Sequence, residues 1–275
     1  MGIRFRYVGR AAVLAGGAMA TTLAAEVWAA MRLKFIPSTP AFEISGMVGP
    51  EDAEPLIVVV LGDSSVAGVG AEAVEDTLAY GVAKALSDRY QVHLHALGVS
   101  GARVRNVVSE QLSQLAGLDP DVVLVCVGTN DITHGTPTRE IRAQLHLLAT
   151  GLRTVAPRAV VVVSGLPPAS VARCFRWPLR NLLGLRAWAL TRVYKSVLAP
   201  YGIQVFEVAK HTRDAFRGKR EMFSADLFHP SSAGYAFLGT VYGRAVREAL
   251  DAARAAPPVD TDLDLASDLA GDLAG

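Results

Sequence analysis

Hydrophobic positions along this chain fall into short apolar runs, separated by longer stretches with helical spacing. Leu56–Leu61 (LIVVVL), Val92–Leu97, Val122–Val127 (VVLVCV), Ala159–Ser164 (AVVVVS) and Ile203–Val208 predict five strands. Near-continuous apolar strands need cover on both faces, which is the condition of a parallel sheet. Helical spacing occurs over 76–89, 103–116, 139–154, 182–199 and 232–254, and in the last of these Leu238, Val241, Tyr242, Ala245 and Ala249 share one face. Strands alternating with helices predict a single doubly wound α/β domain over 56–255, with a mainly parallel five-stranded sheet between two helical layers. In such sheets ligands bind outside the carboxyl ends of the strands.

The flanks differ in kind. Arg4, Arg6 and Arg10 precede an apolar stretch from Ala11 to Met31, broken only by Glu26 and followed by Arg32 and Lys34. As a helix at ~1.5 Å per residue it would measure ~31 Å, the thickness of a bilayer core. Residues 1–34 are therefore expected to be a signal anchor, or a signal peptide cut near Ala18-Met19-Ala20, against the plainer reading of a flanking helix. The protein is expected to be exported, with the catalytic domain outside the cytoplasm, membrane-anchored or secreted according to whether that segment is cleaved. Residues 35–55 hold Pro37, Pro40, Pro50 and Pro55 with Gly46 and Gly49 and read as a linker. Residues 256–275 follow Pro257-Pro258 with aspartates and no basic residue, and read as a disordered acidic tail.

Composition narrows the function classes. With 51% apolar residues, 19% charged residues and a net charge of +1, the chain is neither disordered nor a basic nucleic-acid binder. Two cysteines, Cys126 and Cys174, without a Cys-x-x-Cys pair make a disulfide scaffold or a structural zinc site an unsuitable reading. Neither a phosphate-binding Gly-x-x-x-x-Gly-Lys-Ser/Thr loop nor a Gly-x-Gly-x-x-Gly after a strand occurs, so nucleotide binding is not expected.

Polar and glycine-rich clusters stand where strands end. Gly62-Asp63-Ser64-Ser65 follows the first strand, Ser100-Gly101 the second and Gly128-Thr129-Asn130-Asp131 the third, and Asp226-Leu227-Phe228-His229-Pro230 precedes the last helix. Ester chemistry needs a serine hydroxyl, a base to activate it, a group to orient the base and donors for the oxyanion. Ser64 can be the nucleophile, His229 the base and Asp226 its partner, three residues away. Gly101 can bring a bare N–H close to substrate, and Asn130 carries an amide donor.

These four clusters, in this order, resemble the conserved blocks of the SGNH hydrolase superfamily, the group around the GDSL-type esterases and lipases. The resemblance spans Gly62 to Pro230. It implies a flavodoxin-like fold, catalytic Ser64, Asp226 and His229, and an oxyanion hole made by the Ser64 N–H, the Gly101 N–H and the Asn130 amide. It further implies hydrolysis of carboxylic esters of lipids, acylated glycans or small molecules through an acyl-serine intermediate, with no cofactor and no metal. Ser65 stands where the narrower GDSL pattern has leucine, so the broader superfamily is the better description. Transfer of the acyl group to an envelope polysaccharide, or an idle pocket that only binds, are the alternative outcomes.

Other residues carry competing readings. Ser65 is a rival nucleophile whose side chain is expected to point elsewhere. Ser100, in Gly98-Val99-Ser100-Gly101-Ala102, falls one residue short of a Gly-x-Ser-x-Gly elbow. Asp131 is expected to cap the helix that follows it. His93 and His95 lack a third ligand and fit a sheet edge or core, His134 fits a loop, and Cys126 fits a buried strand. The stretch from Ile141 to Phe206 contains nine Lys/Arg residues and no acid, among them Arg173, Arg176, Arg180 and Arg186 beside Trp177 and Trp188. It reads either as a hydrophobic and basic lid facing a membrane or anionic envelope surface, or as a solvated basic helix face.

Overall fold

The computed structural model describes residues 43–255 together with Gly17 and residues 19–30, 32–33 and 35–36. Strand β1 (Ser45–Val48) leads into β2 (Glu54–Gly62), helix α1 (Leu78–Leu86) and β3 (Tyr90–Gly98). A helical stretch over 104–115 begins as α2 (Val104–Asn106), widens to a π turn and tightens to a 3₁₀ turn. After it come β4 (Val122–Cys126), α3 (Thr129–Thr133), α4 (Thr138–Val155), β5 (Val160–Ser164), α5 (Leu179–Leu198), β6 (Gln204–Phe206), α6 (Val208–Phe216) and α7 (Ser232–Ala255).

The sheet order is β1-β3-β2-β4-β5-β6, with β1 antiparallel to β3 and every other pair parallel. Alternate residues of one strand face opposite layers. Val59, Leu61, Val123, Val125, Val161 and Val163 join the core under α4, α5 and the 104–115 stretch. Leu56, Val58, Val60, Val122, Leu124 and Val162 join the core under α1 and α7. In β2, β4 and β5 both faces are covered and the apolar run is nearly continuous, whereas β3 alternates Gln91, His93 and His95 with buried Val92 and Leu94. On the second face α1 and α7 approach so closely that a Cβ on Gly81 would lie 2.9 Å from the Gly239 Cα.

Two expectations are corrected. The sheet has six strands rather than five, because β1 lies inside the expected 35–55 linker, and the ordered domain begins ahead of residue 56. β1 is an edge strand stabilised by pairing with β3 and by burying Ile44 and Val48, a gain that its Gly- and Pro-containing surroundings conceal. The fifth expected strand ends at Phe206, and Val208 opens helix α6, whose buried Val208, Thr212 and Phe216 follow a spacing of four. Finally, among the described residues no helix is long and apolar enough to cross a membrane; residues 19–30 are helical, while Ala11–Gly16 of the expected span lie outside the described residues, as does the 256–275 tail.

The end of β2 is fixed by a buried amide. Gly62 donates its N–H to the Gln111 Oε1 at 2.9 Å and accepts from the Gln111 Nε2 at 2.8 Å. A Cβ on Gly62 would sit 2.1 Å from the Cys126 carbonyl oxygen, so only glycine allows β2 and β4 to meet there. Gln111→Leu should leave the buried Gly62 N–H without an acceptor, while the Gly62 carbonyl keeps the Val99 N–H at 3.0 Å. The expected loss of about 1–3 kcal/mol is measurable by urea unfolding, and no loss would show that water replaces the amide.

Candidate active site

Parallel register sets the site. Gly62 pairs with Gly98 of β3 and with Cys126 of β4, so the turns after β2, β3 and β4 begin side by side at one sheet edge. The β2 turn winds tightly, with Val66 and Ala67 both donating to the Asp63 carbonyl and Val69 donating to that of Ser64. This leaves the Ser64 side chain facing the 223–230 loop.

That loop closes on itself through an isolated bridge between Phe223 and Pro230 and a Ser224 N–H bond to the His229 carbonyl. Leu227 sits at φ +58°, a left-handed conformation costly for a side chain of this type. The turn there lets the Asp226 Oδ1 accept from the N–H groups of Phe228 and His229, at 3.0 Å each, and from the Ser224 hydroxyl at 2.8 Å. The Asp226 Oδ2 is 2.6 Å from the His229 Nδ1, and the His229 Nε2 is 3.1 Å from the Ser64 Oγ. Since a carboxylate can only accept, Nδ1 carries the proton and Nε2 is left as acceptor for the serine hydroxyl.

The electrostatics fit that arrangement. Burial pushes the Asp226 pKa up, but the His229 ring and the Phe228 and His229 N–H groups outweigh it and hold the carboxyl well below its usual range. Its contribution to stability is therefore complete above the unfolded carboxylate value of about 3.9 and is lost as pH falls through the depressed folded value. Asp63, beside the serine, behaves oppositely: burial raises its pKa, against the N–H and hydroxyl of Ser65, which bond its Oδ1 at 3.0 and 2.9 Å. Ser65 is thus turned away from His229.

Gly101 takes φ +81°, a conformation open to glycine, and a Cβ there would meet nothing within 4 Å. Among the described residues neither the Ser64 nor the Gly101 N–H has an acceptor, so both remain available. The Asn130 Nδ2 donates to the Ala102 carbonyl at 3.0 Å, and the neighbouring Asp131 Oδ2 accepts from the Val104 N–H at 3.0 Å. Two adjacent side chains after β4 thereby hold the turn after β3. Asp131 caps the earlier helix α2, not the helix following it.

The remaining candidates fall elsewhere. Ser100 has no imidazole bonded to it. His93 pairs with Gln91 at 3.3 Å near the β1 edge, and among the described residues no three His, Cys, Asp or Glu side chains gather as a metal site. His134 is exposed, with its Nδ1 on the Asn130 carbonyl at 2.8 Å. Cys126 is buried and its thiol pKa is pushed up by burial.

Two features escaped the sequence reading. The first is a cavity of about 140 Å³ running from Ser64 and His229 to Cys126 and Tyr242, walled by Phe175, Phe216, Phe223 and Phe228. Among the described residues Asp63 is the one carboxylate in its lining and no Lys or Arg lines it; Gly101 and Asn130 lie outside it. The i, i+4, i+8 spacing of α6 could have exposed one wall. The second is the segment ahead of β1. The Ile36 N–H donates to the Asp226 Oδ2 at 3.3 Å, and the Phe35 ring lies 4.9 Å from Phe228 and 5.9 Å from the His229 ring. Nothing in the local pattern of 35–36 announces a contact 190 residues away.

A doubly wound sheet with Ser64, His229 and Asp226 in a hydrogen-bonded line beyond its strand ends defines the SGNH hydrolase class. The chain belongs to the GDSL-like lipase/acylhydrolase family, which residues 60–237 match. It is 29% identical over 198 residues, 70% of its length, to the GDSL-like esterase Rv1075c of Mycobacterium tuberculosis, and it spans 62% of that relative's length. Among solved structures, the crystal structure of TesA aligns with a TM-score of 0.57 at 23% identity, covering 72% of this chain and 99% of that one. Axe2, an acetylxylan esterase from Geobacillus stearothermophilus, aligns at 0.55 and 17% identity over 72% of this chain and 96% of its own. A family 3 carbohydrate esterase of Clostridium thermocellum aligns at 0.58 and 18% identity over 72% and 98%. These three share the fold.

Replacing Ile36 by proline removes one donor from Asp226, whereas alanine keeps it. Ile36→Pro is expected to slow fluorophosphonate labelling of Ser64 roughly three- to tenfold, about 1 kcal/mol, while Ile36→Ala labels at the parental rate. Equal rates in the two variants would assign the contact no part in aligning the dyad.

Proposed function

We propose that this protein is a serine esterase that cleaves carboxylic esters with an apolar acyl group. The observation that carries the reading is the Ser64–His229–Asp226 line at the mouth of an apolar cavity. The Nε2 of His229 takes the proton as the Ser64 Oγ attacks the ester carbonyl. Asp226 holds the ring in place and stabilises the imidazolium that forms. The oxyanion is received by the Ser64 and Gly101 N–H groups and the Asn130 amide. The imidazolium then protonates the leaving alcohol, and water, activated by the same imidazole, releases the acid from the acyl-serine.

The cavity supports the choice of acyl group. Four phenylalanines with Val171, Val208 and Leu238 surround it, and no cation lines it to meet a phosphate or carboxylate. An aliphatic chain gains ~0.8 kcal/mol for each methylene it buries, whereas a charged group would forfeit hydration without a partner. Family membership and the esterase names of the relatives support the reaction class.

For the cell location we propose export, with the apolar stretch up to Met31 holding the domain at a membrane. Arg4, Arg6 and Arg10 ahead of that stretch are the reason.

Against p-nitrophenyl esters, kcat/KM is expected to rise roughly fourfold per added methylene until the cavity is full. Leu238→Trp, which narrows the cavity, should move the preference towards acetyl, and Ser64→Ala should abolish turnover. Asp226→Asn should lower kcat by roughly 10³–10⁴ without unfolding the protein. A flat chain-length profile, or turnover surviving in Ser64→Ala, would defeat the proposal.

A further inference from the structure

The chain has three tryptophans, and all three stand on the surface. Trp is ordinarily well buried, and its exposed form is characteristic of boundaries where one end of the ring is apolar and the other wet. Two of the three belong to one patch. Trp177, Leu182, Leu185 and Trp188 are between 45% and 64% exposed. Leu182, Leu185 and Ala189, at offsets of three and seven, lie along one outward face of α5, with Trp188 beside them and Arg192 one turn further on. This face has no covering element among the described residues.

Its charge is one-sided. Helix α5 contains three arginines, one lysine and no acid. Arg173, Arg176, Arg180, Arg186 and Arg192 form no ion pair with any carboxylate among the described residues, although seven other Arg or Lys side chains do. Arg176 and Arg192, both exposed, stand at the two ends of the apolar patch, and the Arg192 guanidinium lies 4.9 Å from the Trp188 ring centre. Arg186 turns inward to the Thr136 carbonyl and is not part of the face.

The patch also adjoins the cavity. Helix α5 packs directly on the turn Ala169–Val171, where a Cβ on Gly184 would lie 2.8 Å from the Ser170 Cβ. Ala169, Val171 and Phe175 of that connection line the cavity, and Phe175 precedes Trp177 by two residues. Helix α5 therefore covers the outside of this connection, with the patch on its far face and the wall beside Ser64 on the inside.

We propose that the face formed by Trp177, Leu182, Leu185 and Trp188, with Arg176 and Arg192 at its ends, docks on an anionic phospholipid surface and brings the cavity wall against it. Large apolar side chains enter the boundary between headgroups and acyl chains, while long guanidinium side chains reach the phosphates. A second copy of the chain is a poor occupant, because a two-fold contact would set the arginines of one face against those of the other. A hydrophilic anionic polymer could meet the arginines but would leave two tryptophans and two leucines in water. The inference stands apart from the esterase reading, since docking needs no turnover.

The test uses the full chain carrying Trp28→Phe, so that Trp177 and Trp188 are the remaining tryptophans. Emission is recorded with vesicles of phosphatidylcholine alone and with vesicles rich in phosphatidylglycerol, each with and without brominated acyl chains. Blue-shifted emission quenched by bromine on the anionic vesicles alone, and weakened by salt, is the expected result. Arg176→Gln and Arg192→Gln should each reduce the quenched fraction relative to the unquenched one roughly fivefold. Leu185→Glu should abolish quenching while hydrolysis of a soluble ester stays at the parental rate. Because the signal arises at α5 itself, insertion of the amino-terminal stretch cannot mimic it. Unquenched, water-like emission on anionic vesicles would overturn the proposal, as would equal quenching on phosphatidylcholine. A lipid-free dimer in sedimentation that Leu185→Glu dissociates would also overturn it, in favour of a second copy on this face.

Discussion

The Asp226 carboxylate is almost shut off from water, with its side chain 2% exposed, and an ion so placed persists because five donors converge on it. The Ser224 hydroxyl and the Phe228 and His229 N–H groups occupy one oxygen, and the His229 ring and the Ile36 N–H occupy the other. Removing the charge from water costs several kcal/mol, and only such complete pairing offsets that cost. The consequences reach outward. The ionised carboxylate fixes the imidazole tautomer, the tautomer presents Nε2 to Ser64, and the 223–230 loop must accept a left-handed leucine to make the geometry possible. Backbone strain of this type persists where the surrounding contacts over-determine it.

The same economy of parts governs the other side of the serine. Gln111, fully buried, gives the Gly62 N–H its acceptor and so helps fix where β2 stops and the turn carrying Ser64 begins. Asn130 and Asp131, adjacent in sequence, reach back across the strand order to hold Ala102 and Val104. The turns after β2, β3 and β4 are thereby one rigid unit, which is what donors awaiting a developing charge require. Helix α6 and the 165–178 connection contribute little to this unit; they build the apolar cavity beside it.

The central strands β2, β4 and β5 were legible because each is covered on both faces, so burial imprints a nearly continuous apolar run on the local sequence. The candidate site positions were legible for a related reason. Ser64, Asn130, Asp226 and His229 stand at strand ends or just before a helix, where polar residues with glycine or proline beside them contrast with the apolar runs. Helix boundaries differ by a few residues: α1 starts where the Thr77 hydroxyl accepts from the Tyr80 N–H, and α5 starts directly after Pro178.

What the sequence determined by itself was the layered α/β architecture and the short list of groups capable of ester chemistry, both being consequences of local pattern. Only the tertiary structure decided that an edge strand forms from a Gly- and Pro-containing stretch, that Phe35 and Ile36 settle on the His229–Asp226 pair, and that four phenylalanines from separate segments enclose one cavity. Each of these depends on contacts between distant parts of the chain. Their free energy is released only when the partners meet, so no local spacing carries its mark.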